Sequence, residues 1–430
     1  MKLETARGVR DIFPQEQVVR NKIMSIMQSL FQSHGFLPLD TPILERYDVL
    51  SAKFAAGEES DAMTETYRLK DNGERELGLR FDLTVPLARF VGMNRTIKMP
   101  FKRYQFGKVY RDAPIKAGRF REFTQCDVDI IGSKDMLADA TVAQIGIKLY
   151  RELGVDVVIQ VNNRKILNEL ITSSGIPSDK ADSVLMSIDK LLKLGKKGVL
   201  EEEESKGLNS TGISSLLDFF ETLKGSNLEK LSLVKQRLPN SQGVEELEEF
   251  LSYFTDKEVV YTPVLARGLG YYTGTVFEVY DAQGKLDSSI GGGGRYDKLI
   301  SGYLESSQEY PAVGLSFGLD RIVYVLNELG INLVETNQAD VFIIPLGTKK
   351  ESFALAEQLR EAGLRVDIDL MNRGPSKNMQ YADSVGIPFT IVLGENELAK
   401  NTINLKELAT RNEQELSVND AIAFIKEKLV

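Results

Sequence analysis

Near its start, the chain repeats apolar residues at the spacing of one helix face. The repeat runs through Val19, Ile23, Ile26 and Leu30. Pro14 suits the first turn of a helix, and Gly35 is the kind of residue that ends one. The pattern predicts an amphipathic helix over residues 14–34, followed by a short strand over 36–39.

Downstream, the helical period gives way to extended runs. Residues 66–82 read as two strands around Asn72-Gly73, a pair of residues that favours the tight turn of a hairpin. Thr84 has a side chain that can cap a helix, and a helix over 85–91 is predicted after it.

A second pair of strands is predicted at 102–110 and 120–131, around a loop that contains Pro114 and Gly118. Side chains alternate between the two faces of a strand. One face of the second strand is largely apolar and carries Phe120, Thr124, Cys126, Val128 and Ile130, with Glu122. The other face carries Arg121, Phe123, Gln125, Asp127 and Asp129. A strand with one charged face either borders water or lines a polar site.

The rest of the chain divides into a helical middle, a strand-rich region and a terminal alternation. Residues 137–255 repeat largely at helical spacing. Strand-like runs follow at 259–265, 271–280 and 312–318. A helix opened by Asp320-Arg321 comes next, and 331–339 form a polar linker. The remainder alternates as strand 341–345, helix 351–362, strand 365–369, helix 376–386, strand 389–393 and helix 419–429, which predicts a small mixed or parallel sheet.

Composition narrows the possible chemistry. The chain has 430 residues, of which 42% are hydrophobic, with one His and one Cys. One Cys excludes an internal disulfide, and one His with one Cys cannot form the usual structural zinc site, so no zinc is expected. Neither a signal peptide nor an apolar run long enough to span a membrane is visible. We expect a cytoplasmic protein of two or three domains that does not bind membranes.

The single histidine and cysteine are predicted to be structural. His34 lies at the end of the first predicted helix, and Cys126 lies on the apolar face of its strand. Chemistry would then fall to carboxylates, Arg, Tyr, backbone N–H groups or a hard metal ion. The glycine run 291–294 lacks the Lys and Ser/Thr of a phosphate-binding loop, so it serves either close packing or the approach of a ligand.

Charge is distributed unevenly. The net charge is −9, which argues against a general nucleic-acid coat protein. Between residues 95 and 121, however, there are nine cations and one anion, Asp112. This local excess suggests an anionic ligand such as phosphate or nucleic acid. Four arginines lie at strand ends or strand–helix junctions, although each alone could be an ordinary surface residue: Arg111, Arg121, Arg267 and Arg321.

Three further patterns are shared with one class of enzymes. Helix 14–34 with Pro42 resembles motif 1 of the class II aminoacyl-tRNA synthetases. Val109-Tyr110-Arg111 with residues 118–125 resembles motif 2, and residues 314–321 resemble motif 3. The blocks 266–278 and 292–297, which include Arg-Gly-Leu-Gly-Tyr-Tyr and Gly-Gly-Gly-Arg-Tyr-Asp, are more specific. They resemble the histidyl-tRNA synthetase family rather than its class II relatives.

The resemblance implies an architecture. Residues 1–330 would form an α+β catalytic domain, with an antiparallel sheet of six to seven strands flanked by helices and a helical insertion at about 165–255. Residues 331–339 would be a linker, and 340–430 an α/β anticodon-binding domain. The chain would form a homodimer through the motif 1 region. It would activate L-histidine with ATP and transfer the histidyl group to tRNA(His).

The same resemblance implies roles for the arginines. Arg111 would hold the α-phosphate of ATP, Arg267 would neutralise the transition state, and Arg321 would bind the ATP tail, with Mg²⁺ bridging the phosphates. Arg119 and Arg121 would also contact ATP. Arg119 and, in the C-terminal domain, Arg373 are the candidate tRNA contacts.

Histidine itself would be bound by a second set. Asp82 with Thr84 would accept the ammonium group, and Gln125 with Arg267 would bind the carboxylate. Asp129 and Tyr272, beside Tyr271, would recognise the imidazole. Two positions depart from the family pattern: Gly270 stands where Asp is common, and Ala113 stands where motif 2 usually has an acidic residue that contacts adenine.

Two other functions are compatible with such a fold. One is a regulatory paralogue that partners ATP phosphoribosyltransferase, although such paralogues lack the anticodon domain. The other is a non-catalytic sensor of histidine or uncharged tRNA. The presence of Arg111, Arg267 and Arg321 favours the enzyme over both.

Overall fold

The computed structural model describes residues 2–52, 64–115, 118–206, 210–266, 270–286, 288–334, 337 and 339–429. The chain divides into two compact units, Met1–Ile12 with Arg20–Leu333, and Phe13–Val19 with Val334–Val430. Among the helices in the described ranges, none has both the length and the apolar content that a membrane crossing requires.

The strands of the first unit lie on either side of a long helical stretch. In chain order they are β1 (Leu37–Pro38), β2 (Leu44–Arg46), β3 (Arg68–Lys70), β4 (Glu76–Leu79), β5 (Phe101–Tyr110), β6 (Glu122–Ile131), β7 (Val157–Asn163), β8 (Val259–Tyr261), β9 (Thr275–Asp281), β10 (Gly291–Arg295) and β11 (Ala312–Gly318). Eight of them form one sheet in the order β1-β5-β6-β11-β10-β9-β7-β8. Its central strands pair antiparallel, and both edge strands, β1 and β8, pair parallel.

Helices cover this sheet and fill the insertion. Before residue 334 they are α1 (Pro14–Ser33), α2 (Tyr47–Leu50), α3 (Thr84–Met93), α4 (Met136–Glu152), α5 (Arg164–Ser173), α6 (Ala181–Asp189), α7 (Leu191–Ser205), α8 (Ser210–Thr222), α9 (Asn227–Arg237), α10 (Gln242–Ser252), α11 (Leu299–Tyr303) and α12 (Leu319–Glu328). Helices α5 to α10 occupy the region predicted as a helical insertion. Apolar faces of α4 and β11 pack together in the core, where Leu149 and Phe317 are fully buried.

Elements with a strong period are confirmed. Helix α1 and strands β5, β6 and β11 begin and end within two residues of their predicted bounds. The predicted hairpin is formed by β3 and β4, where the Asp71 carboxylate accepts hydrogen bonds from the backbone of Gly73 and Arg75. The prediction that Thr84 caps the next helix is wrong. The Asp82 carboxylate caps the helix instead, because it accepts a hydrogen bond from the Val85 N–H at 2.9 Å.

Two strands of the eight-stranded sheet were not predicted from the sequence. Strand β7 lies in the stretch predicted to be helical, and β10 is formed by the glycine run itself. Glycine has neither side-chain periodicity nor strand propensity, so only pairing with β9 and β11 makes β10 a strand. Strand β9 begins at Thr275, four residues later than predicted, because residues 270–274 turn instead of extending.

The second unit contains a separate five-stranded sheet. Its strands are β12 (Val341–Pro345), β13 (Val366–Ile368), β14 (Phe389–Leu393), β15 (Ile403–Glu407) and β16 (Glu413–Leu416). Its helices are α13 (Lys349–Glu361), α14 (Pro375–Ser384), α15 (Glu395–Lys400) and α16 (Val418–Leu429). The order is β13-β12-β14-β15-β16, parallel over the first three and antiparallel over the last two. The sheet is therefore mixed, and β15 and β16 were not predicted.

Candidate active site

A cavity of about 480 Å³ opens over the polar face of β6 and the neighbouring backbone of β11 and β10. The strand alternation predicted for β6 is observed, because Phe123, Gln125, Asp127 and Asp129 all line the cavity. Loops from both ends of the sheet and the start of α12 complete the walls. The cavity thus lies directly on the central antiparallel sheet of the first unit.

The sheet face beneath the cavity is shaped by glycine. Asp129 pairs with Gly314 on β11, which in turn pairs with Gly294 on β10. A Cβ atom at Gly314 would lie 2.0 Å from the Asp129 Oδ1, and one at Gly294 would lie 2.9 Å from the Tyr272 ring. Glycine at these positions admits the functional side chains and exposes strand backbone to a ligand. Of the two alternatives that the sequence left open, close packing is observed at these positions, and the cavity above them leaves space for the approach of a ligand.

Three buried carboxylates, Asp82, Asp127 and Asp129, form what we call the carboxylate floor. Burial raises the pKa of Asp129, and the charge of Arg103 opposes that shift. Arg103 is fully buried and lies directly across from Asp129 on β5, with 2.8 Å between Nη2 and Oδ2. The Tyr296 hydroxyl donates a hydrogen bond to the other oxygen, Oδ1. Asp129 is therefore held rigidly by its neighbours.

Asp127 has weaker support. The Gln125 amide donates to its Oδ1 at 3.2 Å, and a hydrogen bond with Ser316 also favours the charged form. Burial and the charge of Asp129 outweigh Arg103 and Ser316, and together they raise the pKa of Asp127 to about 7. A ligand cation placed here would favour the ionised carboxylate.

Asp82 links the carboxylate floor to the rest of the cavity. Burial raises its pKa, while the N–H groups at the start of α3 and the charges of Arg111 and Arg103 act in the opposite direction. One oxygen is committed to the Val85 N–H. The same carboxylate thus caps the start of α3 and borders the cavity.

At the other end of β6 lies what we call the arginine end, formed by Arg111, Arg119 and Arg321. The Arg111 guanidinium carbon lies 4.1 Å from the centre of the Phe81 ring and 5.2 Å from that of Phe123. Stacking of this kind holds a guanidinium in place without neutralising its charge.

The other two arginines lie close enough to repel each other. Burial lowers the pKa of Arg321, and the positive charge of Arg119 lowers it further. The Arg321 guanidinium donates a 2.5 Å hydrogen bond to the Ser288 hydroxyl, which is uncharged. Like charges gathered in one wall suit a multiply charged anion.

Asp320, which precedes Arg321, is held by four donors. Arg20 on α1 donates to both carboxylate oxygens, at 2.8 and 3.3 Å, and Arg10 donates to one at 3.3 Å. The Thr124 N–H donates to the second oxygen at 3.0 Å. Although burial opposes it, the bonds and charge of Arg20 hold the pKa of Asp320 below its usual value. These contacts fix the first turn of α12, from which Arg321 extends.

A tyrosine wall closes the carboxylate side. Tyr271 and Tyr272 pack edge to face with ring centres 4.9 Å apart, and Tyr296 lies 6.0 Å from Tyr271. Burial raises the pKa of Tyr271 well above its usual value, so its hydroxyl remains protonated. Its hydrogen bond with Thr84 connects this wall to the start of α3.

Most of the residues selected from the sequence meet in this cavity. Those that line it are Asp82, Thr84, Arg111, Arg119, Gln125, Asp129, Tyr271, Tyr272 and Arg321. Arg267 lies outside the described residues. Arg373 belongs to the second unit, where its guanidinium stacks 4.3 Å from the Tyr381 ring.

Arg121 is a correction. It was predicted to share the polar face with Gln125, but β6 begins only at Glu122, and Arg121 does not line the cavity. Its guanidinium pairs with Asp112 at 2.8 Å and donates to the Ala113 carbonyl at 3.2 Å. Asp112 is therefore turned toward Arg121, while Ala113 lines the cavity together with Glu65.

Sequence reasoning missed several groups that line the cavity or support its lining. Asp127 was on the correct face but received no role, and Tyr296 stands inside the glycine-rich block that was singled out. Arg103 was counted only as one of nine local cations. Its pairing with Asp129 depends on strand register, which no local pattern reveals.

The single cysteine and histidine are not among the residues that line the cavity. Cys126 is fully buried, and burial raises the pKa of its thiol well above the usual value. The His34 Nδ1 lies 2.8 Å from the Leu30 carbonyl oxygen at the end of α1. Within the described part of the chain, no group of three or more His, Cys, Asp or Glu side chains is arranged to hold a metal ion.

Comparison with known proteins gives consistent matches over both units. The family model described as "Histidyl-tRNA synthetase" matches residues 8–322, and "Anticodon binding domain" matches residues 340–428. "Histidine--tRNA ligase 1" of Bacillus cereus is 39% identical over 425 residues, which cover 96% of this chain and 95% of that protein. The crystal structure of histidyl-tRNA synthetase from Nostoc sp. PCC 7120 covers 100% of both chains with 32% identity and a TM-score of 0.85.

A more distant structure has a name that includes the regulatory paralogue. An ATP phosphoribosyltransferase regulatory subunit/histidyl-tRNA synthetase from Bacillus halodurans has a TM-score of 0.74 but only 22% identity, covering 91% of this chain and 98% of that one. It shows a shared fold alone.

Proposed function

The chain belongs to the histidyl-tRNA synthetase family, and we propose that its cavity uses ATP to convert L-histidine to histidyl-adenylate and then transfers the histidyl group to tRNA(His). As a histidine–tRNA ligase it is an aminoacyl-tRNA ligase, and ATP is its substrate. The observation that carries the assignment of the cavity is its division into a carboxylate floor and an arginine end. An amino acid with a cationic head and a polyphosphate need these two environments side by side.

The arginine end suits the first chemical step. A carboxylate oxygen of histidine attacks the α-phosphorus of ATP, the bond to the β-phosphate oxygen breaks, and pyrophosphate leaves with that electron pair. The nucleophile is already an anion, so no protein base is needed. Arg111, held between two aromatic rings, is suited to the α-phosphate, where negative charge accumulates. Arg119 and Arg321, which repel each other, are suited to the β- and γ-phosphates.

Two further groups complete this proposal for ATP. By resemblance, Arg267 would neutralise the transition state. Magnesium would neutralise the phosphates when bound, and of the carboxylates that line the cavity at this end, Asp320 is already occupied by Arg20, Arg10 and Thr124. The ion would accordingly depend mainly on phosphate oxygens and water; Glu65 is a further carboxylate in the lining of the cavity.

The carboxylate floor suits histidine. Asp82 with Thr84 would accept the α-ammonium group, and Gln125 would donate to the carboxylate. Asp129, fixed by Arg103 and Tyr296, would face the imidazole together with Tyr271 and Tyr272. Asp127 adds a carboxylate that no nearby cation fully compensates, which favours a positively charged ligand. An apolar amino acid would leave these buried groups unpaired, which is costly.

Transfer to tRNA is the second step. A hydroxyl of the terminal ribose attacks the histidyl carbonyl carbon and loses its proton, and AMP leaves with the former carboxylate oxygen and the electron pair of the broken C–O bond. The match of residues 340–428 to an anticodon-binding domain supports tRNA as the acceptor. Arg119 and Arg373 remain the candidate tRNA contacts, and α1 with its surroundings remains the candidate homodimer interface.

Histidine-dependent exchange of labelled pyrophosphate into ATP, followed by charging of tRNA(His), tests the proposal. We expect both activities, with discrimination against other amino acids during exchange. A folded, magnesium-supplied sample without exchange would overturn it. Binding of histidine or uncharged tRNA without exchange would favour the sensor, and stimulation of an ATP phosphoribosyltransferase without exchange would favour the regulatory paralogue.

A further inference from the structure

The last residues of β7 lie against both described flanks of the tyrosine wall. Asn162 is fully buried near the end of this strand. Its side-chain amide donates to the Pro263 carbonyl at 2.9 Å and to the Leu265 carbonyl at 3.0 Å. Its side-chain oxygen accepts from the Asn163 N–H at 2.8 Å. Both amide protons and the oxygen thus have partners, which a buried polar group requires.

The two carbonyls belong to the turn that follows β8. The Thr262 N–H donates to the Val161 carbonyl on β7 at 2.9 Å, and the Leu265 N–H donates to the Thr262 carbonyl at 3.0 Å. Backbone pairing with β7 therefore ends at Thr262. Beyond that point, the side chain of Asn162 holds the turn against β7.

The opposite flank is held by backbone hydrogen bonds and by the Thr273 hydroxyl, which accepts from the Asp297 N–H at 3.0 Å. The Arg164 N–H donates to the Gly274 carbonyl at 2.7 Å, and the Thr273 N–H donates to the Arg295 carbonyl at 2.7 Å. Hydrogen bonds from β7, from the first residue of α5 and from β10 thus anchor residues on both sides, at 262–265 and 273–274. Of the β7 anchors, the Asn162 amide is the one that a substitution removes without changing the backbone.

The anchored turn contributes to the apolar cluster that contains the tyrosines. Leu265 is buried in the same apolar cluster as Tyr271, Tyr272 and Tyr296. Tyr271 and Tyr272 line the cavity, and the Tyr296 hydroxyl donates to Asp129. A shift of Leu265 would therefore move the wall that faces the carboxylate floor, while the arginine end is built from other segments.

We propose that Asn162 is a positioning residue for histidine activation, which sets the tyrosine wall against the carboxylate floor by holding the Pro263 and Leu265 carbonyls. The inference rests on the proposed function but concerns a residue outside the cavity. A residue that acts this way affects histidine more than ATP, whereas a residue that only stabilises the fold affects both alike.

The decisive variant is Asn162→Asp, which keeps the size and the acceptor but removes both donors. In pyrophosphate exchange we expect the histidine KM to rise about tenfold or more, and the ATP KM to change less than about twofold. Asn162→Ser, which is smaller and keeps one donor, should fall between Asn162→Asp and wild type. It also provides a test if Asn162→Asp does not fold.

Asn227→Ala is the matched control. Asn227 is a buried asparagine in the same unit whose amide donates to the Val259 carbonyl at 2.7 Å, so its loss should lower the melting temperature without raising the histidine KM. An unchanged histidine KM in folded Asn162 variants, an equal rise of both KM values, or an equal effect of Asn227→Ala would overturn the inference. Absence of exchange in wild type would instead overturn the proposed function.

Discussion

The carboxylate floor and the arginine end lie on the same sheet, yet they are built differently. From Phe123 to Asp129, β6 extends about 20 Å at the usual rise per residue. At one end of that span, Asp129 is buried against Arg103 and Tyr296. At the other, Arg119 and Arg321 repel each other. The acidic side chains are part of the folded core, whereas two of the basic ones, Arg119 and Arg321, raise each other's electrostatic energy.

This difference predicts which substitutions affect stability and which affect only function. Removing a buried carboxylate leaves its cation uncompensated, so substitutions in the carboxylate floor should harm folding as well as binding. Removing one of two repelling arginines relieves an unfavourable interaction, so substitutions in the arginine end should harm catalysis without harming folding. The substitutions below test this contrast, beginning with the largest expected effect.

Arg111→Ala should have the largest effect on rate. Loss of a stacked guanidinium at the α-phosphate should lower kcat for adenylation by about 10³-fold, comparable to the loss of a transition-state donor. Pyrophosphate exchange at saturating histidine and ATP measures it, and the melting temperature should stay near that of wild type. A loss below about tenfold would contradict the role of Arg111.

Asp129→Ala should have the largest effect on stability. Arg103 would remain buried without its partner, so the free energy of unfolding should fall by about 3 kcal/mol or more, and histidine binding should weaken. Denaturant unfolding and calorimetric titration with histidine measure the two effects. The double variant Arg103→Met/Asp129→Ala should recover stability but not binding. Failure to recover would show that the pair is not the cause.

Arg321→Ala should weaken the use of ATP without destabilising the fold. We expect the ATP KM to rise by about tenfold or more, while the melting temperature stays the same or rises because repulsion from Arg119 is removed. Thermal unfolding without ATP and exchange with varied ATP provide the comparison. A clear fall in melting temperature would break the proposed contrast between the two ends.

Asp127→Asn should change the pH dependence. Because burial raises the folded-state pKa of Asp127 to about 7, above the unfolded value, its stabilising contribution is complete below the unfolded pKa and is lost as pH rises through about 7. The free energy of unfolding of wild type should therefore fall over that range more than that of Asp127→Asn. A bound ammonium favours the ionised carboxylate. As pH rises through about 7, the affinity of wild type for histidine should therefore rise more than that of Asp127→Asn. Parallel pH profiles would refute this role.

Arg121→Ala should have the smallest effect. Its guanidinium forms a partly exposed pair with Asp112, and such pairs contribute about 0.2–1 kcal/mol. We expect the ATP KM to change less than about twofold, since Arg121 does not line the cavity. A change as large as that of Arg321→Ala would mean that Arg121 moves to the phosphates when ATP binds.

Local patterns predicted elements well where side-chain period was strong. Helix α1 and strands β6 and β11 have long, regular repeats, and their bounds were close to the predicted ones. Strand β10 could not be predicted in this way, because four glycines have no period and adopt a strand only between β9 and β11. The Thr84 cap failed for a related reason: a local preference gave way to the nearby Asp82, which tertiary packing holds in place.

For the site, the sequence by itself determined the kinds of side chain available and the single face of β6 that carries Gln125, Asp127 and Asp129, since alternation along a strand is a local property. Its motifs also determined the family. Only the tertiary structure decided that Arg103 faces Asp129, that Arg121 turns to Asp112, and that glycines on β10 and β11 open the space above them. Those outcomes depend on register between strands distant in sequence, and register is set by the packing of the whole sheet.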